Sequence, residues 1–239
     1  MKKYLLFAVL LTTSYSAIHA QKNIHDANAI SRTVSSFHGI QVSAGIDLYI
    51  SQSSTEAVAV SASSTEYRDK IVTQVENGIL KIYYGEKGSW GSSNWGNHKM
   101  KAYVSANNLD LLQASGGSDI FIDEKLKVAK LKVQLSGGSD MIGKLEVDDL
   151  IVGASGGSDA KLTGTVTHLQ VNISGGSDFK GADLSAENCI ISASGGSDAY
   201  IHVTKELESH ASGGSDIFYT GNPTTRNSSS GDGSVKRRS

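Results

Sequence analysis

The chain has 239 residues, of which 38% are hydrophobic and 19% charged, with 26 glycines, one proline, one cysteine and a formal net charge of −2. This length supports one elongated domain with a continuous core. The slightly acidic balance excludes a phosphate-tracking nucleic-acid binder, and the single Cys189 excludes an internal disulfide framework.

Residues 1–20 read as a secretory signal. Lys2 and Lys3 form a charged start, Leu5 to Leu11 is an apolar stretch too short to span a bilayer, and Ala17-Ile18-His19-Ala20 is a small-residue end. Cleavage there starts the mature chain at Gln21, removes two positive charges and implies an exported protein. It is expected in the periplasm, on the cell surface or in the medium. No later stretch reaches transmembrane length.

Residues 22–110 read as a β-rich, less regular cap with early coils. Strand-like runs occupy Gly39 to Ser51, Ala57 to Ala62, Ile71 to Val75, Ile79 to Tyr84 and Lys101 to Ala106. Asn77-Gly78 is a hairpin signal between two of them. The loop from Gly85 to His98 holds both tryptophans, Trp90 and Trp95, with Asn94 among glycines and serines. Those three residues are candidates for ligand contact, because aromatic anchors on polar loops dominate many interfaces. A lid folded over the core is the competing reading.

From residue 111 to 221 the chain repeats. Ser-Gly-Gly-Ser-Asp starts at Ser115, Ser136, Ser155, Ser174, Ser194 and Ser212, a period of about 19–20 residues. That period is too short for a two-helix repeat and matches one coil of a β-solenoid. Apolar columns recur every second residue around each pentapeptide and face inward: Ala114, Leu135 and Ala154 just before it, Leu112, Val133 and Val152 two earlier, and Ile120, Met141 and Ala160 just after it. Cys189 occupies a column filled mainly by leucine and reads as a buried hydrophobe. The paired glycines suit a sharp bend. The fold expected is all-β, a right-handed parallel β-helix, with residues 222–239 a polar tail or cap that includes the degenerate repeat Ser230-Gly231-Asp232-Gly233.

Three chemical readings follow from the coils. The aspartates Asp119, Asp140, Asp159, Asp178, Asp198 and Asp216 form a ladder spaced roughly 4.8 Å apart, so their mutual repulsion calls for partners. Turn N–H groups from each aspartate's own corner are one offset, and calcium bound between coils is another. The outward row beginning at Phe121 and ending at Tyr200 and Phe218 lies beside the ladder and is a second candidate for contact with a glycan or protein. The serines recur too often to be nucleophiles, which need one base and a separate oxyanion site. No catalytic residue, cofactor site or metal motif is expected beyond the weak calcium option.

Phe37-His38-Gly39-Ile40-Gln41-Val42-Ser43-Ala44-Gly45-Ile46-Asp47-Leu48-Tyr49-Ile50, then Val75-Glu76-Asn77-Gly78-Ile79-Leu80-Lys81-Ile82, then the repeated pentapeptide, resemble the putative auto-transporter adhesin, head GIN domain family over about residues 35–220. The resemblance implies a β-helical fold, export and a bacterial cell-envelope setting. It transfers no catalytic or ligand residues. The 23 residues after Asp216 are too few for an outer-membrane barrel, so self-anchored display is not expected. The function expected is a non-enzymatic adhesion-like module that presents a flat face to a glycan or to an envelope or protein partner. Two alternatives stay open: a β-helical enzyme acting on acidic polysaccharide, and a structural envelope protein.

Overall fold

The structure, a computed structural model, describes residues 26–85 and 98–238. Residues 1–20, expected as a secretory signal, and the loop carrying Trp90, Asn94 and Trp95 lie outside the described residues. In chain order the elements are β1 (Ile30–Arg32), β2 (Gly39–Ser43), β3 (Asp47–Gln52), β4 (Ala57–Ser61), α1 (Thr65–Asp69), β5 (Ile71–Glu76), β6 (Ile79–Tyr84) and β7 (Lys101–Ala106). The regular part follows with β8 (Leu111–Ser115), β9 (Ile120–Ser136), β10 (Met141–Ser155), β11 (Ala160–Ser174), β12 (Phe179–Ser194), β13 (Asp198–Gly213), β14 (Asp216–Thr220), β15 (Thr224–Gly231) and β16 (Ser234–Arg237). These strands form a β-solenoid of about 7 turns.

Strands β8 to β14 pair in parallel with the strand one coil later, and register is kept on both flanks of the pentapeptides, with bulges at Ile142/Lys144, Lys161/Gly164, Gly181/Ser185 and Ala186/Asn188. Leu131, Leu150, Leu169, Cys189 and Leu207 stack as one column, and Val133, Val152, Val171, Ile191 and Ser209 as another. All ten are buried. Alternation explains this directly, since residues two apart on a strand share a face and stacking buries that face continuously. Cys189 is 2% exposed, and burial pushes its thiol up to about 12, so it packs as a hydrophobe rather than reacting as a thiolate. Ser209, the polar member of its column, donates its hydroxyl to Asn227 Oδ1 at 2.8 Å.

The N-terminal part departs from chain order. β2 pairs in parallel with β6 on one side and β8 on the other, and β3 likewise sits between β7 and β9. The first coil of the chain is therefore the second in the stack, inserted between residues 79–106 and residues 111–122. Its degenerate corner, Ser43 to Asp47, lies on the first pentapeptide, with Ser43 in register with Ser115. Beyond it, β5 runs antiparallel to β6, β4 antiparallel to β7, and β1 antiparallel to β4. Antiparallel strands of this kind interrupt the parallel stack and protect that end.

At the far end β15 and β16 continue the coil over polar sequence. Ser230 and Gly231 pair with Ser212 and Gly213, and Ser234 pairs with Asp216. Every residue of β15 is exposed, and of this last coil Val235 on β16 packs partly buried against the core.

Candidate functional site

Within each pentapeptide the two serines and the aspartate have separate tasks. The second serine lies two residues before a buried strand position, so the same alternation turns it inward, and Ser118, Ser139, Ser158, Ser177, Ser197 and Ser215 are all fully buried. Ser139 Oγ accepts the backbone N–H of Ser118, Ser158 Oγ that of Ser139, and Ser177 Oγ that of Ser158, each at 3.1 Å. Ser118 Oγ extends the run to Ile46 N–H at 3.0 Å. Ser197 Oγ breaks it, being buried without a hydrogen-bond partner.

The aspartates make the opposite connection. Asp119 Oδ1 accepts the N–H of Asp140 and Asp140 Oδ1 that of Asp159, both at 2.9 Å, and Asp159 Oδ1 accepts from Asp178 at 3.1 Å. The bonds lengthen to 3.4 and 3.3 Å at the next two corners. Sequence reasoning expected each carboxylate to bind its own glycine corner; the acceptor instead reaches the following coil, because parallel stacking brings that N–H nearer. The corners from Ser118 to Ser177 are thus clasped backward by serine, and those from Asp119 onward are clasped forward by aspartate. Lys180 adds a cation, at 2.5 Å from Asp159 Oδ2 and 3.3 Å from Asp178 Oδ2. At the ladder's start, burial pushes the Asp119 carboxyl up, as it does Asp47, where the neighbouring Asp119 charge adds to the effect.

Calcium takes six to eight oxygens. One oxygen each of Asp119, Asp140 and Asp159 accepts a backbone N–H of the next coil, which offsets part of the ladder's repulsion without an ion. Among the described residues no three acidic, histidine or cysteine side chains converge as ligands.

The outward row beside the ladder is longer than the sequence revealed. Register places Tyr103, Tyr49, Phe121, Ile142, Lys161, Lys180, Tyr200, Phe218 and Lys236 in one line. Tyr49 stacks on Tyr103 at 5.3 Å and on Phe121 at 5.1 Å between ring centroids, and Tyr200 stacks on Phe218 at 5.1 Å. The cations of Lys236 and Arg238 lie over the Phe218 ring at 5.7 and 5.3 Å. Phe121 thus has Tyr49 against it, and Tyr200 and Phe218 have each other and the cations of Arg238 and Lys236. A sugar ring stacking on these aromatics competes with those contacts.

The sheet on the other side of the corner, residues 111–115 and their equivalents, carries different chemistry. One outward row is Gln41, Gln113, Gln134, Gly153, Asn172 and Ser192, and the next is Ser43, Ser115, Ser136, Ser155, Ser174 and Ser194. A third row flanks them with Leu111, Lys132, Ile151, Gln170 and Ile190. The second and first rows line a shallow groove of about 420 Å³. Alternation within the coils already turns the first row outward, from Gln113 to Ser192 and on to His210; the serine row is found by the same count carried one step further.

Further along, His210 Nδ1 lies 2.5 Å from Ser228 Oγ and Nε2 lies 3.1 Å from Glu208 Oε1. The connectivity is that of a hydrolytic triad. Glu208 and His210 stand 44% and 51% exposed on an open sheet face, where water screens the charge that a dry site would stabilise. It reads as a surface hydrogen-bond chain.

The fold and these surfaces define a class: a parallel β-solenoid that displays repeated ladders on flat faces. A model of the putative auto-transporter adhesin, head GIN domain family matches residues 36–223, and the chain belongs to that family. Solved structures with the same fold include an adhesin described as putative from Bacteroides fragilis NCTC 9343, at 22% identity and TM-score 0.78, covering 89% of this chain and 98% of that one. A second such adhesin, from Parabacteroides merdae ATCC 43184, gives 17% identity and TM-score 0.69 over 88% of this chain and 95% of its own. A structure from Parabacteroides distasonis ATCC 8503 named a putative lipid binding protein gives 21% identity and TM-score 0.68 over 90% and 98%. No curated protein matches the chain.

Proposed function

We propose that the protein is an exported, non-enzymatic adhesion module that presents its flat solenoid faces to a glycan or protein of the cell envelope. The observation that carries this reading is the continuity of the outward rows on both flanks of the pentapeptides, which align coil after coil while the bulges fall elsewhere on the strands. A ladder of this kind meets an extended partner at many equivalent points, whereas catalysis needs one unique constellation. Family membership supports the same reading. Trp90, Trp95 and Asn94 are proposed as an accessory ligand contact.

The test is binding of the chain from Gln21 onward to cell-envelope fractions. Saturable binding is expected, and it should fall when Trp90 and Trp95 are both replaced by alanine. Absence of saturable binding would overturn the module; binding unchanged by the double variant would remove the tryptophan loop alone.

A further inference from the structure

We infer that the groove over Gly153 binds an uncharged, hydroxyl-rich polysaccharide laid along the solenoid axis. The inference rests on the adhesion reading above and gives it a site and a ligand class.

The groove exists because one rung is missing. Between Gln134 and Asn172 the row has Gly153, and a side chain built there meets nothing closer than the Val133 carbonyl oxygen at 3.9 Å. Two amide side chains therefore stand on either side of an empty rung, roughly 9.6 Å apart at two strand spacings. Gln113 donates to Gln134 Oε1 at 2.5 Å, which orients that amide and leaves its own nitrogen without an acceptor among the described residues. Asn172 likewise makes no side-chain hydrogen bond there, and both amides are exposed. Ser136, Ser155 and Ser174 form the adjoining wall with their hydroxyls.

The chemistry of these groups selects the occupant. From Gln41 to Ser192 in one row, and from Ser43 to Ser194 in the other, no side chain is ionisable. The row ends on Lys81 and His210 and the flanking row holds Lys132, three scattered groups that give a polyanion little attraction. A protein partner would be expected to find aromatic or arginine anchors, and these rows have none. Amides and hydroxyls donate and accept in equal measure, as sugar hydroxyls require. Apolar contact is available next door, where Ile151 and Ile190 are 40% and 51% exposed and two coils apart. Donors held by a rigid sheet lose little freedom on binding. Because the rows repeat roughly every 4.8 Å, a polymer along the axis meets the same groups in succession.

The test uses isothermal titration of the chain from Gln21 onward with cellohexaose, maltohexaose, mannohexaose and polygalacturonate. At least one neutral hexasaccharide should bind, with an affinity insensitive to added salt, and polygalacturonate should not. Gly153→Gln fills the rung without strain, so it should weaken binding at least tenfold while leaving the melting temperature unchanged. The Gln134→Ala, Asn172→Ala double variant should weaken it comparably. Neutral-sugar binding that survives Gly153→Gln, or binding confined to polygalacturonate, overturns the inference. If every sugar fails while the protein still saturates envelope fractions, the inference falls and the adhesion module stands.

Discussion

The two sides of the pentapeptide corner differ in whether their polar and aromatic groups have already found each other. On the aspartate side, carboxylates accept N–H groups from the next coil, Lys180 bridges two of them, and aromatic rings stack on rings. On the amide side, the hydroxyls of Ser115, Ser136, Ser155 and Ser174 have no protein partner among the described residues. Repetition alone does not separate the two, since both are ladders. A row that satisfies itself contributes stability, and a row that does not is left with capacity for something else.

The largest way to break the first side is at the bend itself. Gly175 has φ +84 and its Cβ would lie 3.2 Å from Gly156 N, whereas Gly176 lacks a positive φ and has open space around it. Gly175→Val should cost about 3 kcal/mol in denaturant unfolding and Gly176→Ala well under 1 kcal/mol. Equal losses would mean that the corner is not strained as described.

The serine clasp gives a smaller and sharper contrast. Ser158→Ala strands the buried N–H of Ser139 and should cost about 1–3 kcal/mol. Ser197→Ala removes a hydroxyl that has no partner, so stability should hold or rise. Thermal melts of the two variants decide the matter in one comparison.

The smallest effect is electrostatic. Asp119→Asn keeps an oxygen acceptor for Asp140 and removes a charge, so its melting should stay within about 0.5 kcal/mol of the parent at neutral pH. The Asp47 and Asp119 carboxyls are raised by burial, so their charged forms are disfavoured in the fold and the parent should gain stability as pH falls from neutral through their folded values. Asp119→Asn should flatten that gain. Glu146 acts with the opposite sign: Lys125 and Lys127 hold its carboxyl down to about 2, so its contribution is lost only as pH falls from 4.5 toward that value. Chelator should leave every one of these melts unchanged.

Much of the coil could be read from residues alone. The columns containing Leu131, Val133 and Cys189 need only a period of two inside a period near 20. The same parity already assigned Ser118 to the interior, being two residues before Ile120, but a polar residue in a glycine turn reads more readily as surface. The insertion of Gly39–Ser43 between β6 and β8 was not legible, because strand pairing across such distances leaves no periodic trace. Nor was the stacking within the aromatic row, since Tyr49 and Tyr103 join that row only through the same long-range pairing. Gly153 illustrates a different limit: a missing side chain becomes a feature only when its neighbours on both sides are known.

The displaced first coil also sets an order of assembly. Ile46 meets Ser118 across 72 residues of chain, whereas Ser139 meets Ser158 across 19. Closing the longer loop loses more chain entropy, which locates the slow step in the unit spanning residues 39–122. A chain emerging amino end first would complete that closure early, and each later coil would then zip onto a finished template. Coils such as 137–155 are, on this account, interchangeable units of length. A lineage could lose or gain one at matching corners and change the reach of the molecule while leaving its folding nucleus untouched.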